Sequence, residues 1–284
     1  MPTTLSDGRL FFAAGGKRQN PAFGMIRNRT FDGQSFYHAG QLNYTAQWHR
    51  SLTLQSAYTF SKSIDDDSVT FAHNESSNSI GIPVNNPRFN RALSNFDVRH
   101  SFVTNTQWLT PARTSGWAQL ISSWRLGGVI SVASGLPFSA TLGYDAARTL
   151  TGRPDRLGGQ RPDLKPGASN NPVTHDPLRW IDPSAFQRPV PGFLGNLGRN
   201  TISGPGLFQA DLFLGRVFHP PWTGDHVKID FRAEAYNATN HANFDLPDPS
   251  RMQVFSSSST PEDVGRITSA GPSREIQFGI KVVF

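Results

Sequence analysis

Seven stretches of this chain alternate apolar and polar residues with a period of two, the spacing of a strand with one greasy face. The last is the plainest. Ile276, Phe278, Ile280, Val282 and Phe284 take every second position of REIQFGIKVVF, with Glu275, Gln277, Gly279 and Lys281 between them. In an extended strand the two sets point to opposite faces. Val227, Ile229, Phe231, Ala233 and Ala235 alternate as cleanly with Lys228, Asp230, Arg232, Glu234 and Tyr236. Charges that share one strand face would each cost several kcal/mol in a dry core, whereas a wet lumen removes that cost. Lys228, Asp230, Arg232 and Glu234 are therefore expected to face a lumen. The other five stretches predict strands over 36–48, 52–64, 98–110, 124–132 and 208–218. Their apolar sets include Leu42, Tyr44 and Trp48; Leu54, Tyr58 and Phe60; Phe102 and Trp108; Leu126 and Ile130; and Leu212, Leu214 and Phe218. A further strand is expected near Arg9 to Ala13.

The connections alternate in length. Short ones at 49–51, 111–123 and 220–225 separate long ones at 65–97, 143–207 and 240–273. Short turns on one side and long loops on the other characterise an antiparallel up-and-down transmembrane β-barrel. Loops longer than about 15 residues are uncommon in compact soluble domains. With Phe284 at the periplasmic rim, Trp48, Trp108, Trp124 and Phe218 fall near the same short-turn edge, where an interfacial aromatic girdle belongs.

Composition agrees. Only 37% of residues are apolar and the mean hydropathy is negative. No run of about 18 apolar residues exists for a transmembrane helix, whereas barrel strands cross with about 9 to 11 alternating residues. Cysteine is absent, which removes disulfides, thiolate metal sites and cysteine nucleophiles. The net charge of +6 comes from basic residues scattered through loops, without the stripe that nucleic acid requires, so no nucleic-acid partner is expected. Loop arginines either meet lipopolysaccharide phosphates or serve solubility. Met1 to Arg9 lacks the basic start and apolar core of a signal peptide, which leads us to expect a piece of a longer precursor.

Several segments resemble, in order, the carboxy-terminal barrel of TonB-dependent outer-membrane receptors of the Oar-like, carboxypeptidase-regulatory-like-domain-containing group. They are NPAFG (20–24), YTFSKSIDD (58–66), SNFDVRHSF (94–102), SGLPF (134–138), GNLGRNTISGPG (195–206), FRAEAYNATNHANF (231–244) and the final REIQFGIKVVF. The resemblance implies a barrel of about 22 strands that takes up a ligand with energy passed from TonB to a plug domain. On it, residues 1–284 are the last part of such a barrel, seven or eight strands, with neither the plug nor the regulatory-like domain. It also implies residence in the Gram-negative outer membrane, contact with lipid and lipopolysaccharide, and TonB engagement only through a plug. The barrel-assembly machinery would read the terminal strand at Phe278, Ile280, Val282 and Phe284. A self-contained small barrel with a structural or adhesin role is the alternative, and a soluble carbohydrate-binding sandwich a third.

Catalytic signatures are missing: there is no GxSxG elbow, Walker loop or HExxH, and no catalytic residue, cofactor or metal is expected. Asp65 to Asp67, with Ser63 and Ser68 nearby, either coordinate a hard cation or begin a solvated loop. His38, His100, His175 and His241 lack metal-ligand spacing. The better candidates for recognition are loops over the mouth. Arg153 and Arg156 lie in one, and Trp180, Phe186 and Phe193 in another, where they either stack on a sugar ring or pack together to order the loop.

Overall fold

The computed structural model describes residues 2–15, 20, 22, 33–49, 51–66, 68, 87–111, 122–149, 160–220, 227–256 and 262–284. Its long strands are β1 (Ser35–Trp48), β2 (Leu52–Asp65), β3 (His100–Leu109), β4 (Trp124–Ala133), β5 (Leu207–Phe218), β6 (Lys228–Tyr236) and β7 (Glu275–Val283). They form one antiparallel meander in chain order, and Ala92–Leu93 pairs beside the end of β2. Each alternating stretch is one strand of this wall. The wall is open: among the described residues β1 pairs only with β2, and β7 only with β6.

Register carries the alternation across the whole sheet. Trp48, Leu52, Trp108, Leu126, Leu214, Ala233 and Phe278 are successive partners in one row through all seven strands. Leu42, Tyr58, Phe102, Val132 and Phe208 form another. Behind the first row, on the other face, run Gln47, Thr53, Gln107, Gly127, Phe213, Glu234 and Gln277. The apolar face is uncovered, with Leu212 50% and Phe278 73% exposed. Leaving so many large apolar side chains in water forfeits about 25 cal/mol per Å2, a cost that hydrocarbon abolishes.

At the centre of β4 two consecutive glycines are required by close approach. A Cβ on Gly127 would lie 2.5 Å from Cε1 of Phe213 and from the Thr106 carbonyl oxygen, and one on Gly128 would lie 2.5 Å from the Asp211 carbonyl oxygen. The Phe213 ring thus occupies the space that a side chain at 127 would fill, which accounts for the one aromatic in the polar row.

The buried core is not in the wall. Among the described buried hydrophobic residues only Ala210 belongs to a long strand. The others lie mainly in the long connections, where Phe138, Trp180, Ile181, Phe186, Ile202, Met252, Val254, Val264 and Ile267 pack in one cluster. The described residues of 134–206 and 240–274, which include most of two connections that the alternation predicts only as long loops, therefore fold together as a cap. Pro137–Phe138 pairs with Ile202–Ser203, and Asp163–Leu164 with Phe186–Gln187. The strand expected near Arg9 to Ala13 is corrected to Leu10–Phe11, which pairs with Thr3–Thr4 outside the wall. This hairpin docks on the cap: Phe12 N donates to Gly192 O at 2.9 Å, and the Phe11 and Phe193 rings lie 5.2 Å apart.

A wall that meets hydrocarbon on its apolar side tolerates charge on one face only. Leu212→Arg should destabilise by about 2 to 4 kcal/mol when near the midplane, Phe231→Arg, which shares its row with Trp124 at the short-turn edge, by about 0 to 1 kcal/mol, and Gln209→Arg on the polar face should be nearly neutral. Heat-modifiability of the assembled protein on gels reports the difference, and equal effects at the three positions would refute the registers.

Candidate functional site: the cap and the polar mouth

The cap is fastened to the wall through the polar face of β2. Ser61, Ser63 and Asp65 occupy that face at the strand's end and are buried. Ser61 Oγ donates to Val98 O at 2.8 Å, and Ser63 Oγ shares a 2.9 Å hydrogen bond with Ser94 Oγ. Arg199 reaches them from the cap: its guanidinium pairs with the Asp65 carboxylate and donates to Asp65 O at 2.8 Å, Asn90 O at 2.8 Å and Ser68 Oγ at 3.2 Å. The two charged side chains are 1% and 4% exposed. A buried pair offsets its desolvation only when its remaining donors are satisfied, and these contacts supply that. Asn200 continues the network, donating through Nδ2 to Leu93 O at 2.7 Å and through its backbone N to Ser139 Oγ at 2.8 Å.

A second buried guanidinium stands beside the first. Arg161 donates through Nε to Leu197 O at 2.7 Å and through Nη1 to Asn90 Oδ1 at 3.3 Å, and lies 5.0 Å over the Phe89 ring. Burial lowers its pKa to about 10, with the Arg199 charge adding to the effect, so it remains a cation at neutral pH. Backbone crowding at this junction explains another glycine: a Cβ on Gly195 would lie 2.0 Å from the Arg161 carbonyl oxygen.

These facts answer the question of the acidic triplet. Asp65 is not a solvated loop residue: it is buried and paired with Arg199. Asp66 accepts from Gln34 N at 3.2 Å, and Asp67 lies outside the described residues. Among the described residues no group of three or more His, Asp or Glu side chains is placed to hold a metal ion.

Below the cap the polar face carries the charges of β6. Lys228, Asp230, Arg232 and Glu234 all lie on it. Arg125 on β4 reaches Asp230 at 3.3 Å across Gly215, and Arg232 approaches Glu234 at 3.6 Å. Tyr236 donates to Glu234 at 3.1 Å, and Gln277 on β7 also donates to Glu234. Where this face meets the cap there is a cavity of about 620 Å3, lined by Val98, Leu136, Gln209, Tyr236, Asp245 and Glu275 among others. Apolar residues such as Val98, Leu136 and Leu207 share its lining with polar ones, among them Gln209, Asn243, Asp245 and Glu275.

The loop candidates fall differently. Arg153 and Arg156 lie outside the described residues. Trp180 is buried in the cap core, with Nε1 donating to Ser203 O at 2.9 Å and its ring edge-on to His175 at 5.6 Å. Phe186 is 2% exposed in the same core. Neither ring offers a free face to a sugar; they pack within the protein. Phe193 lies at the hairpin contact, beneath the Arg9 guanidinium at 4.9 Å. Phe278, Ile280, Val282 and Phe284 line the exposed apolar side of the edge strand.

Spacing alone does not reveal the Arg199 network, but several of its members sit inside the quoted segments. Asp65 belongs to YTFSKSIDD, Ser94 and Asn95 to SNFDVRHSF, and Arg199 and Asn200 to GNLGRNTISGPG. Their polar residues converge at one junction.

A family model for an outer membrane beta barrel domain matches residues 8–277. Neither the curated proteins nor the solved structures contain a match.

Breaking the Arg199 pair should release the cap. Arg199→Met leaves the Asp65 carboxylate buried without its cation and should cost about 3 to 5 kcal/mol, and adding Asp65→Leu should recover part of that. Hydrogen exchange in 87–97 would rise in the single variant and fall back in the double; unchanged exchange in the single variant refutes the lock.

Proposed function

This chain belongs to the outer membrane beta barrel domain family, and from that premise we propose that its wall and cap are part of the barrel of a TonB-dependent receptor for energised ligand uptake. The family places the protein in the outer membrane, and on this reading the apolar face of the wall meets lipid. The observation that carries the receptor reading is the polar face: a ladder of ion-paired charges that leads up to a cavity under a packed cap. A barrel of about eight strands fills its interior with its own side chains. Here the Arg232 side chain is 64% exposed, and among the described residues the two wall edges have no second partner strand. An unpaired edge in hydrocarbon costs several kcal/mol for each unsatisfied backbone group. A larger barrel, with a plug against Lys228, Asp230, Arg232 and Glu234, satisfies both demands.

On this reading ligand enters beneath the cap and meets Gln209, Tyr236, Asp245 and Glu275, and Arg153 and Arg156 are further ligand candidates from the sequence alone. The terminal strand is the portion that the assembly machinery engages, through Phe278, Ile280, Val282 and Phe284. Lipopolysaccharide is the neighbour of the long-loop rim, where Lys62 lies on the apolar face and Arg91 sits 4.8 Å over the Phe36 ring.

The absence of cysteine makes topology directly readable. In the protein as produced from its gene, Leu178→Cys should react with an impermeant maleimide on intact cells, and His49→Cys only after the outer membrane is opened. The reverse pattern inverts the barrel. A photo-crosslinking residue in place of Lys228 should capture a plug segment; a correctly assembled barrel that captures none overturns the receptor reading.

A further inference from the structure

The charges on the polar face change sign along the wall. The row Gly127, Phe213, Glu234, Gln277 marks the division. Toward the short turns, the charged residues that the described long strands place on this face are Arg125, Lys228, Arg232 and Lys281, against Asp230 alone. On the row and toward the cap they are Asp65, Asp211, Glu234 and Glu275, all acidic. Asp65 is taken by Arg199. Asp211 accepts from Gln209 Nε2 at 3.0 Å and Asn237 N at 2.8 Å, and Glu234 from Tyr236 Oη at 3.1 Å and the Gln277 amide. Glu275 differs. Among the described residues its carboxylate accepts no hydrogen bond and joins no ion pair, and the same holds for Asp245, which the cap contributes.

These two carboxylates are also the only charged groups among the described residues that line the cavity of about 620 Å3 between wall and cap. Tyr236 is the cross-strand partner of Glu275, so its ring stands beside that carboxylate. Leu136, Leu207 and Phe244 leave apolar surface uncovered in the same lining. Chemistry limits what such a space can hold. An anion would add like charge to Asp245 and Glu275. A calcium ion takes about six to eight oxygen ligands, more than two carboxylates among apolar groups supply. An ammonium group has three donors or fewer, is drawn to an aromatic face, and brings an apolar body with it.

We propose that this cavity selects organic ammonium ions: the amine held by Asp245 and Glu275 beside the Tyr236 ring, the apolar body against Leu136, Leu207 and Phe244. The inference rests on the reading of the cavity as the ligand site of an uptake receptor and adds the class of ligand. The basic belt below, from Arg125 to Lys281, opposes the descent of a cation and so keeps it at the mouth.

Fluorine NMR of the assembled protein, purified from outer membranes in mild detergent, tests the class with three probes of similar shape. They are para-fluorophenethylamine, a cation, para-fluorophenylethanol, which is neutral, and para-fluorophenylpropionate, an anion. The amine should bind about tenfold more tightly than the alcohol, and the propionate more weakly than either. Asp245→Asn combined with Glu275→Gln should erase the preference for the amine. Neither carboxylate holds another described group, so this variant should assemble as wild type does. Glu262→Gln, an exposed cap position outside the lining, should keep the preference. Should the double variant fail to assemble, the order of the three probes on wild type decides alone. Saturable binding with the alcohol equal to the amine, or with the propionate preferred, overturns the ammonium assignment and leaves the cavity a ligand site. An amine preference that survives the double variant overturns it as well, because the amine is then held elsewhere. No saturable binding of any probe sinks the cavity as a ligand site, and the proposal with it.

Discussion

Everything in this structure depends on register. The side-chain period of a strand is two, so a slip of one residue between any neighbours would carry that strand's apolar set to the polar side. The row from Trp48 to Phe278 holds across seven strands because six successive pairings keep it. Hydrocarbon enforces the pairing as well, since it offers backbone groups no other partner. The charges on β6 then become tolerable for the same reason that the leucines on β5 do: each face has its own solvent.

The wall consequently has no interior of its own, and the protein's dry core is displaced into the cap. There the rules of soluble proteins return, with apolar side chains clustered and buried polar groups satisfied. The junction between the two regimes is the stretch from Ser61 to Asp65, where the polar face of one strand passes from exposed to buried and enters a polar network. Arg199 and Arg161 bring buried guanidinium groups to that place, Asp65 pairs with Arg199, the Asp97 carboxylate accepts from Ser63 N, and the carbonyls of Asn90, Leu197 and Asp65 accept further guanidinium donors.

Alternation made the wall legible, because a half-exposed strand writes its orientation into every second residue. The limits of that legibility are physical. The third strand begins at His100 rather than at Val98, since the carbonyls of Val98 and Arg99 are taken by Ser61. The hairpin at Leu10–Phe11 is too short for a period to mean anything. Trp180 and Phe186 were ambiguous because an aromatic in a proline-rich loop reads the same whether it meets a ligand or a neighbour. The Arg199 network has no local pattern at all; its residues were visible only as fragments of a family resemblance, with nothing to say that they touch.

Arg199 and Asp65 are 134 residues apart in the chain. Closing a contact of that span costs loop entropy that only prior alignment of the intervening strands can reduce. β2 to β5 must therefore lie side by side before the pair can form. The cap, whose contacts bridge that span, can therefore close only after the strands between have aligned, which makes the polar lock the last part of this fold to form.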